Sequence, residues 1–301
     1  MDTNEYLKKV LQSQDLADDS KEMKELQTHR KDVEELIRNG FSDCSPTIRY
    51  GGSKAKGTLI RDAYDLDLIC YFPHDDTGAG KTLEEIYQEV RKILSDNYYV
   101  EDKTSSLRLK AKEETDHSRA DFHIDVVPGR YTDDTKTDCF LHQASGEKER
   151  LKTNLDVHIE YVKDSGVLDS IRLLKLWNVR NNIRVRHFIL ELLIIKLLEG
   201  HKSLGLANQL EHVWEEIRDA QRPIAVQDPA NTTGNGLSGP LSAVWAELSA
   251  ATSATLNSIE TSGWESVYGP IGEPDSQRRV EVLKRAAAAI ATPTRPWCGG
   301  A

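Results

Sequence analysis

The pattern of apolar positions changes character near residue 160. Up to there, segments with a two-residue period alternate with segments of helical period; beyond it only the helical period persists. Leu26, Val33, Leu36 and Ile37 follow the helical repeat, and Asn39-Gly40 marks its stop. Thr47 to Tyr50 reads as a short strand, followed by a glycine-rich turn from Gly51 to Thr58. Leu66 to Phe72 is rich in β-formers and ends at Pro73. From Thr82 to Leu94 the residues Leu83, Ile86, Tyr87, Val90 and Leu94 form one apolar stripe, and Thr82 with Glu85 makes a capping box. Leu107 to Lys112 and Phe122 to Val127 alternate as strands do, the second stopping at Pro128-Gly129.

Helices are expected at Leu168 to Val179, Phe188 to Leu198, Leu206 to Ala220, Leu241 to Leu256 and Ser276 to Ile290. Phe188 to Leu198 is apolar on nearly every side, so it is expected at the buried centre of a helical half. Glu191 and Lys196 interrupt it, and it is too short to span a bilayer. Asp228 to Pro240, rich in Asn, Thr, Gly and Pro, reads as a loop. The fold class that follows is α+β: a mixed sheet with helices over residues 1–160, then a helical lobe over 161–301.

Composition narrows the classes further. The chain of 301 residues is long enough for two modest domains, and a charged fraction of 29% is that of a globular protein. A net charge of -10 argues against a surface that wraps long nucleic acid, yet leaves room for a local basic pocket. Cys44, Cys70, Cys139 and Cys298 form no Cys-x-x-Cys pair, so neither a zinc site nor a disulfide framework is expected. The polar, acidic start from Met1 to Glu5 is unlike a signal or transit peptide, and the expected location is the cytoplasm.

The candidate chemistry lies between Tyr50 and Phe72. Asp65 and Asp67 share one face of a strand while Leu66 and Leu68 face a core. Two carboxylates a few ångströms apart repel by about 4 kcal/mol at an effective dielectric near ~20, and a hard divalent cation, Mg²⁺ or Mn²⁺, relieves that repulsion. Upstream, Gly51 and Gly52 allow backbone N–H groups to approach an anion, and Ser53 opens a short helix. Gly52 and Gly57 have the spacing of a Walker A loop, but Thr58 stands where its lysine must be, which rejects that motif. A third carboxylate, Asp125, follows on Phe122 to Val127, with Asp121 and His123 on the same face; His123 is read as a neighbour. Asp65, Asp67 and Asp125 together suit a two-metal site.

Gly52-Ser53 followed by Asp65-Leu66-Asp67-Leu68 resembles the signature of the polymerase-β-like nucleotidyltransferase superfamily. Later segments narrow the resemblance: Thr153-Asn154, His158 to Gly166, Ile171 to Trp177, Phe188 to Leu193 and Asp228 to Asn231 look like motifs of the bacterial cGAS/DncV-like nucleotidyltransferases. The resemblance implies a polymerase-β-like core with a C-terminal helical lobe, and synthesis of a cyclic di- or oligonucleotide second messenger in anti-phage defence. It implies that Asp65, Asp67 and Asp125 hold Mg²⁺ and that Gly52, Ser53 and Lys175 contact the triphosphate. His187 stands where relatives often carry Ser beside the triphosphate. Arg172, Arg180, Arg184 and Arg186 are read as partly lining the nucleotide cleft.

The partners so implied are ribonucleoside triphosphates and an effector reached through the cyclic product. The tail from Trp297 to Ala301 reads first as a disordered end, while some members of the family have such an end conjugated by ubiquitin-transfer-like enzymes. The zinc insertion with which animal cGAS grips DNA is absent. Two other readings compete: nucleotidyl transfer to RNA or protein, and a catalytically silent nucleotide-binding module.

Overall fold

The computed structural model describes residues 2–112, 121–145 and 148–271. Helices α1 (Thr3–Ser13) and α2 (Lys21–Gly40) lead into strand β1 (Thr47–Tyr50), the short helix α3 (Gly52–Lys56) and strand β2 (Leu66–Phe72). Helix α4 (Leu83–Ser95) follows, then strands β3 (Tyr99–Asp102), β4 (Leu107–Lys110), β5 (Asp121–Tyr131), β6 (Cys139–His142) and β7 (Arg150–Thr153). The rest is helical: α5 (Leu155–Lys163), α6 (Leu168–Arg180), α7 (His187–Leu197), α8 (Leu206–Asp219), α9 (Ser238–Ser262) and α10 (Glu265–Tyr268). This is the α+β arrangement expected.

The strands form one sheet in the order β1-β2-β5-β4-β3, with β6 added to the far half of β5 and β7 to β6. Among the described residues only β2 and β5 pair in parallel, which the crossover through α4, β3 and β4 permits. Their register sets Asp67 beside Asp125, and the antiparallel β4 brings Arg108 opposite Asp125 from the other flank. On one face Leu66, Leu68, Leu107, Leu109, Ile124 and Val126 are fully buried beneath α2 and α4. Period-two alternation turns the other face, with Asp67, Ile69 and Tyr71, toward the helical lobe.

Strand β5 does not stop at Pro128-Gly129 as the sequence suggests, but runs on to Tyr131. Pro128 falls after Val126, the last residue paired with β4 on that side, and before Gly129, the first paired with β6. On that flank the ladder asks nothing of its missing N–H. A second departure is a bulge: the β4–β5 register shifts between Arg108 and Lys110, and His123 takes a left-handed φ of 55°. The expected alternation persists through it: Phe122, Ile124 and Val126 join the core, while His123 reaches Asp65 on the face that carries Asp125.

The helices enclose a second core around α6 and α7, with Trp177 and Trp214 at its centre. Seven consecutive residues, Ile189 to Ile195, are buried on α7, the central helix expected. Helix α1 joins this core through Tyr6, Leu7, Val10 and Leu11 and packs on α6 and α8, so the first helix sits with the helical half. Helix α9 starts at Ser238, inside the stretch read as a loop, because Pro240 lies in its first turn, where an N–H has no helical partner to lose. Cys44, Cys70 and Cys139 are buried free thiols. Cys298, Ala301 and the expected helix from Ser276 to Ile290 lie outside the described residues. Among the described residues no helix is long and apolar enough to cross a membrane.

Leu193 is fully buried at the middle of α7. Leu193→Ala is expected to lower stability by about 3 kcal/mol through lost transfer energy and a residual cavity. Urea denaturation followed by far-UV circular dichroism checks this.

Candidate active site

The glycine turn is shaped around Asp67. The Gly51 N–H donates to the Asp67 backbone carbonyl at 2.7 Å, tying the turn to β2. Gly52 has a φ of +49°, and a Cβ placed on it would lie 1.5 Å from Asp67 Oδ2. No residue with a side chain fits there without displacing the carboxylate. Behind the turn, Ser53 Oγ accepts a hydrogen bond from Lys175 Nζ at 2.7 Å. The serine proton is thereby left to donate outward, toward an anion in the cleft.

Beside the turn stand the three carboxylates. Burial, then Asp125 and Asp65, push the Asp67 carboxyl up to about 7. For Asp65, partial burial acts upward, but the hydrogen bond from His123 and the charge of Arg108 outweigh it and hold the group well below the usual carboxylate range. His123 Nδ1 lies 3.2 Å from Asp65 Oδ1, placed there by the bulge and by its packing on Tyr64. Arg108, which the sequence did not single out, links the set. Its Nε and Nη2 donate to the two Asp125 oxygens at 2.7 and 2.9 Å, and Nη2 also donates to Asp65 Oδ2 at 2.8 Å.

With Asp65 and Asp125 turned to Arg108, no three His, Cys, Asp or Glu side chains are grouped as a ready metal site among the described residues. The donor chemistry nevertheless fits a hard dication: three carboxylates meet at adjacent register positions, and the Asp67 carboxylate rests in a cradle that a Cβ on Gly52 would fill.

A buried ion cluster joins the turn to the helical lobe. Glu191, fully buried on α7, accepts from Lys56 and, at 2.7 Å, from the Thr58 hydroxyl; Lys175 Nζ lies 3.4 Å away. Lys175 also donates to the Thr58 carbonyl at 2.9 Å, so its ammonium is enclosed on all sides. Burial lowers the Lys175 ammonium to about 8, against the pull of Glu191. Burial alone would raise the Glu191 carboxyl, but Lys56 and Lys175 outweigh it and hold it at about 2.

A cleft of about 500 Å³ opens between the sheet and the helices, lined by Gly52, Ser53, Asp65, Asp67 and His187 among others. Asp125 is set back from it against Arg108. Lys175, expected to touch the triphosphate, lies beneath Ser53; the lysine that reaches the cleft is Lys56, above the Phe188 ring. Of the arginine cluster only Arg186 lines the cleft. Arg172, Arg180 and Arg184 instead pair with Asp15, Asp62 and Glu247. His187 is lowered to about 4 by burial and by Lys175, and faces the cleft as a neutral imidazole. A larger cavity of about 770 Å³ behind α5 and α7 holds none of the expected site residues.

No family model matches the chain, and no curated protein matches its sequence. Its likeness is to solved structures. E. coli MS115-1 CdnC, in its HORMA-deltaN complex, matches with a TM-score of 0.63 at 18% identity, over 89% of this chain and 97% of that one. Vibrio cholerae DncV, a cyclic AMP-GMP synthase and prokaryotic cGAS homolog, gives 0.54 at 16% identity, over 95% of this chain and 84% of that one. Cid1 poly(U) polymerase bound to MgATP gives 0.59 at 11% identity, over 88% and 96%. At these identities the likeness is one of fold: the chain has the fold of the bacterial cGAS/DncV-like nucleotidyltransferases.

Two outcomes follow from this geometry. Gly52→Ala is expected to cost about 1–2 kcal/mol for its left-handed backbone, leave the fold intact by circular dichroism, and weaken ATP binding in the presence of Mn²⁺ in a calorimetric titration. For Glu191, an unfolded glutamate titrates near ~4.3. Its contribution to stability is complete above that pH and drains away as pH falls toward about 2. The urea midpoint of the parent chain is expected to drop across this window, and Glu191→Gln to flatten the slope.

Proposed function

We propose that this chain is a divalent-cation-dependent nucleotidyltransferase that joins ribonucleoside triphosphates into a cyclic di- or oligonucleotide and releases pyrophosphate. The observation that carries the reading is that a serine turn backed by buried lysines shares one cleft with Asp65 and Asp67, while Asp125 is paired beside Asp67 on the neighbouring parallel strand. The turn supplies anion binding, the carboxylates cation binding, and a nucleoside triphosphate with its metal needs both.

In this reading Ser53, Lys56 and His187, which line the cleft, hold the donor triphosphate. Lys175 is a positioning residue that orients the Ser53 hydroxyl. Asp65, Asp67 and Asp125 would hold Mg²⁺ or Mn²⁺, which when bound acidifies the attacking ribose hydroxyl and neutralises the leaving pyrophosphate. Asp125 would accept the hydroxyl proton as the oxygen attacks the α-phosphorus. A second attack within the linear intermediate closes the ring. The messenger role in anti-phage defence rests on the sequence resemblance, and the ring-forming product on that resemblance together with the fold shared with DncV.

The fold likeness to Cid1 supports a second reading, transfer to the end of an RNA. The net charge of -10 disfavours a long nucleic-acid track. Incubation with all four ribonucleoside triphosphates and Mg²⁺ is expected to yield phosphatase-resistant products with the mass of a cyclic nucleotide. Asp67→Asn is expected to reduce the yield by about a hundredfold or more. An unchanged yield in that variant would refute the site assignment, and label appearing only on added RNA would select the second reading.

A further inference from the structure

We infer that Arg108 is a built-in counter-cation that competes with the divalent metal for Asp65 and Asp125, so that its guanidinium must leave before the metal site can form. This inference rests on the metal site of the proposed function and concerns how that site is filled.

Three charge-assisted hydrogen bonds, all between 2.7 and 2.9 Å, run from one guanidinium to two of the three carboxylates. The fork is bidentate on Asp125, the geometry in which arginine and carboxylate bind best. The contact is also shielded, the Arg108 and Asp125 side chains being 13% and 14% exposed. Both Asp125 oxygens are engaged, and the two Asp65 oxygens face Arg108 and His123. The Asp67 carboxylate is the one of the three that no hydrogen bond reaches among the described residues.

A dication that bound Asp125 in this arrangement would share its oxygens with a guanidinium. Two positive centres would then stand within a few ångströms of each other, at a site with little water to screen them. The next residue on the same face of β4, Lys110, is turned away to Glu101 and does not share the task. The arginine therefore relieves the repulsion within the carboxylate set, and each metal that enters takes over that task at the cost of the arginine contacts.

The test is Mn²⁺ binding to the whole chain without nucleotide, followed by electron paramagnetic resonance of the free ion. Arg108→Gln is expected to bind Mn²⁺ about tenfold tighter or more than the parent. Arg108→Lys is expected to fall between them, because a single ammonium cannot bridge both Asp125 oxygens and Asp65 together. A second readout uses the unaltered chain: the Arg108 Nε–H signal in an NMR spectrum, assigned by its loss in Arg108→Lys, is expected to shift on saturation with Mg²⁺. Affinity that is equal or weaker in Arg108→Gln, or an Arg108 signal that saturating Mg²⁺ does not move, overturns the inference. Should the glutamine variant fail to fold, the lysine variant and the NMR signal decide. If neither parent nor variant binds Mn²⁺, the metal-site reading itself fails; if both bind alike and Asp67→Asn weakens both, only the role of Arg108 falls.

Discussion

Parallel pairing of β2 with β5 puts Asp67 beside Asp125, with Asp65 two residues back on the same strand line. Three carboxylates this close are costly: each pair a few ångströms apart repels by about 4 kcal/mol at an effective dielectric near ~20. The local structure answers that cost in two ways. Arg108 and His123 keep Asp65 charged, while Asp67 is pushed up to about 7 by burial and its two neighbours. A cluster arranged this way has a ready affinity for positive charge. Fold stability alone gives no reason to assemble it.

The second constraint joins the two halves of the cleft. Lys56 and Thr58 come from the segment after the glycine turn; Lys175 and Glu191 come from the helical lobe. One buried glutamate between two lysines leaves a surplus positive charge next to Ser53. Breaking such a cluster from one side is expensive, about 3–5 kcal/mol, because it strands a buried charge. The glycine-serine turn is thus tied to the helical lobe, and the carboxylates are tied to the same turn through Gly52 and Asp67.

Much of this was legible in the chain, and the parts that were not share a physical reason. Asp65 and Asp67 could be placed on one face because strand periodicity is local, and the capping box at Thr82 and Glu85 is present as read. Glu191 was visible only as a charge in an apolar run. Its lysine partners are 16 and 135 residues away, and no local period connects them. Arg108 looked like an ordinary polar position of an alternating strand until the β4–β5 register set it against Asp125. The arginines from Arg172 to Arg186 read as a basic cluster, yet three of them face acidic partners far away in the sequence, two on separate loops and one on α9. Pro128 misled because a strand that changes neighbours midway can hold a proline that an ordinary central strand cannot.

The central claim is that the glycine-serine turn and the three carboxylates form one metal–triphosphate site. Calorimetric titration of a non-hydrolysable ATP analogue, with and without Mg²⁺, tests it most directly on the parent chain and Asp67→Asn. Mg²⁺ is expected to strengthen binding in the parent, and that dependence to be lost in the variant while the fold is retained. Binding of equal strength with and without Mg²⁺ in the parent, or an undiminished Mg²⁺ effect in Asp67→Asn, would contradict it.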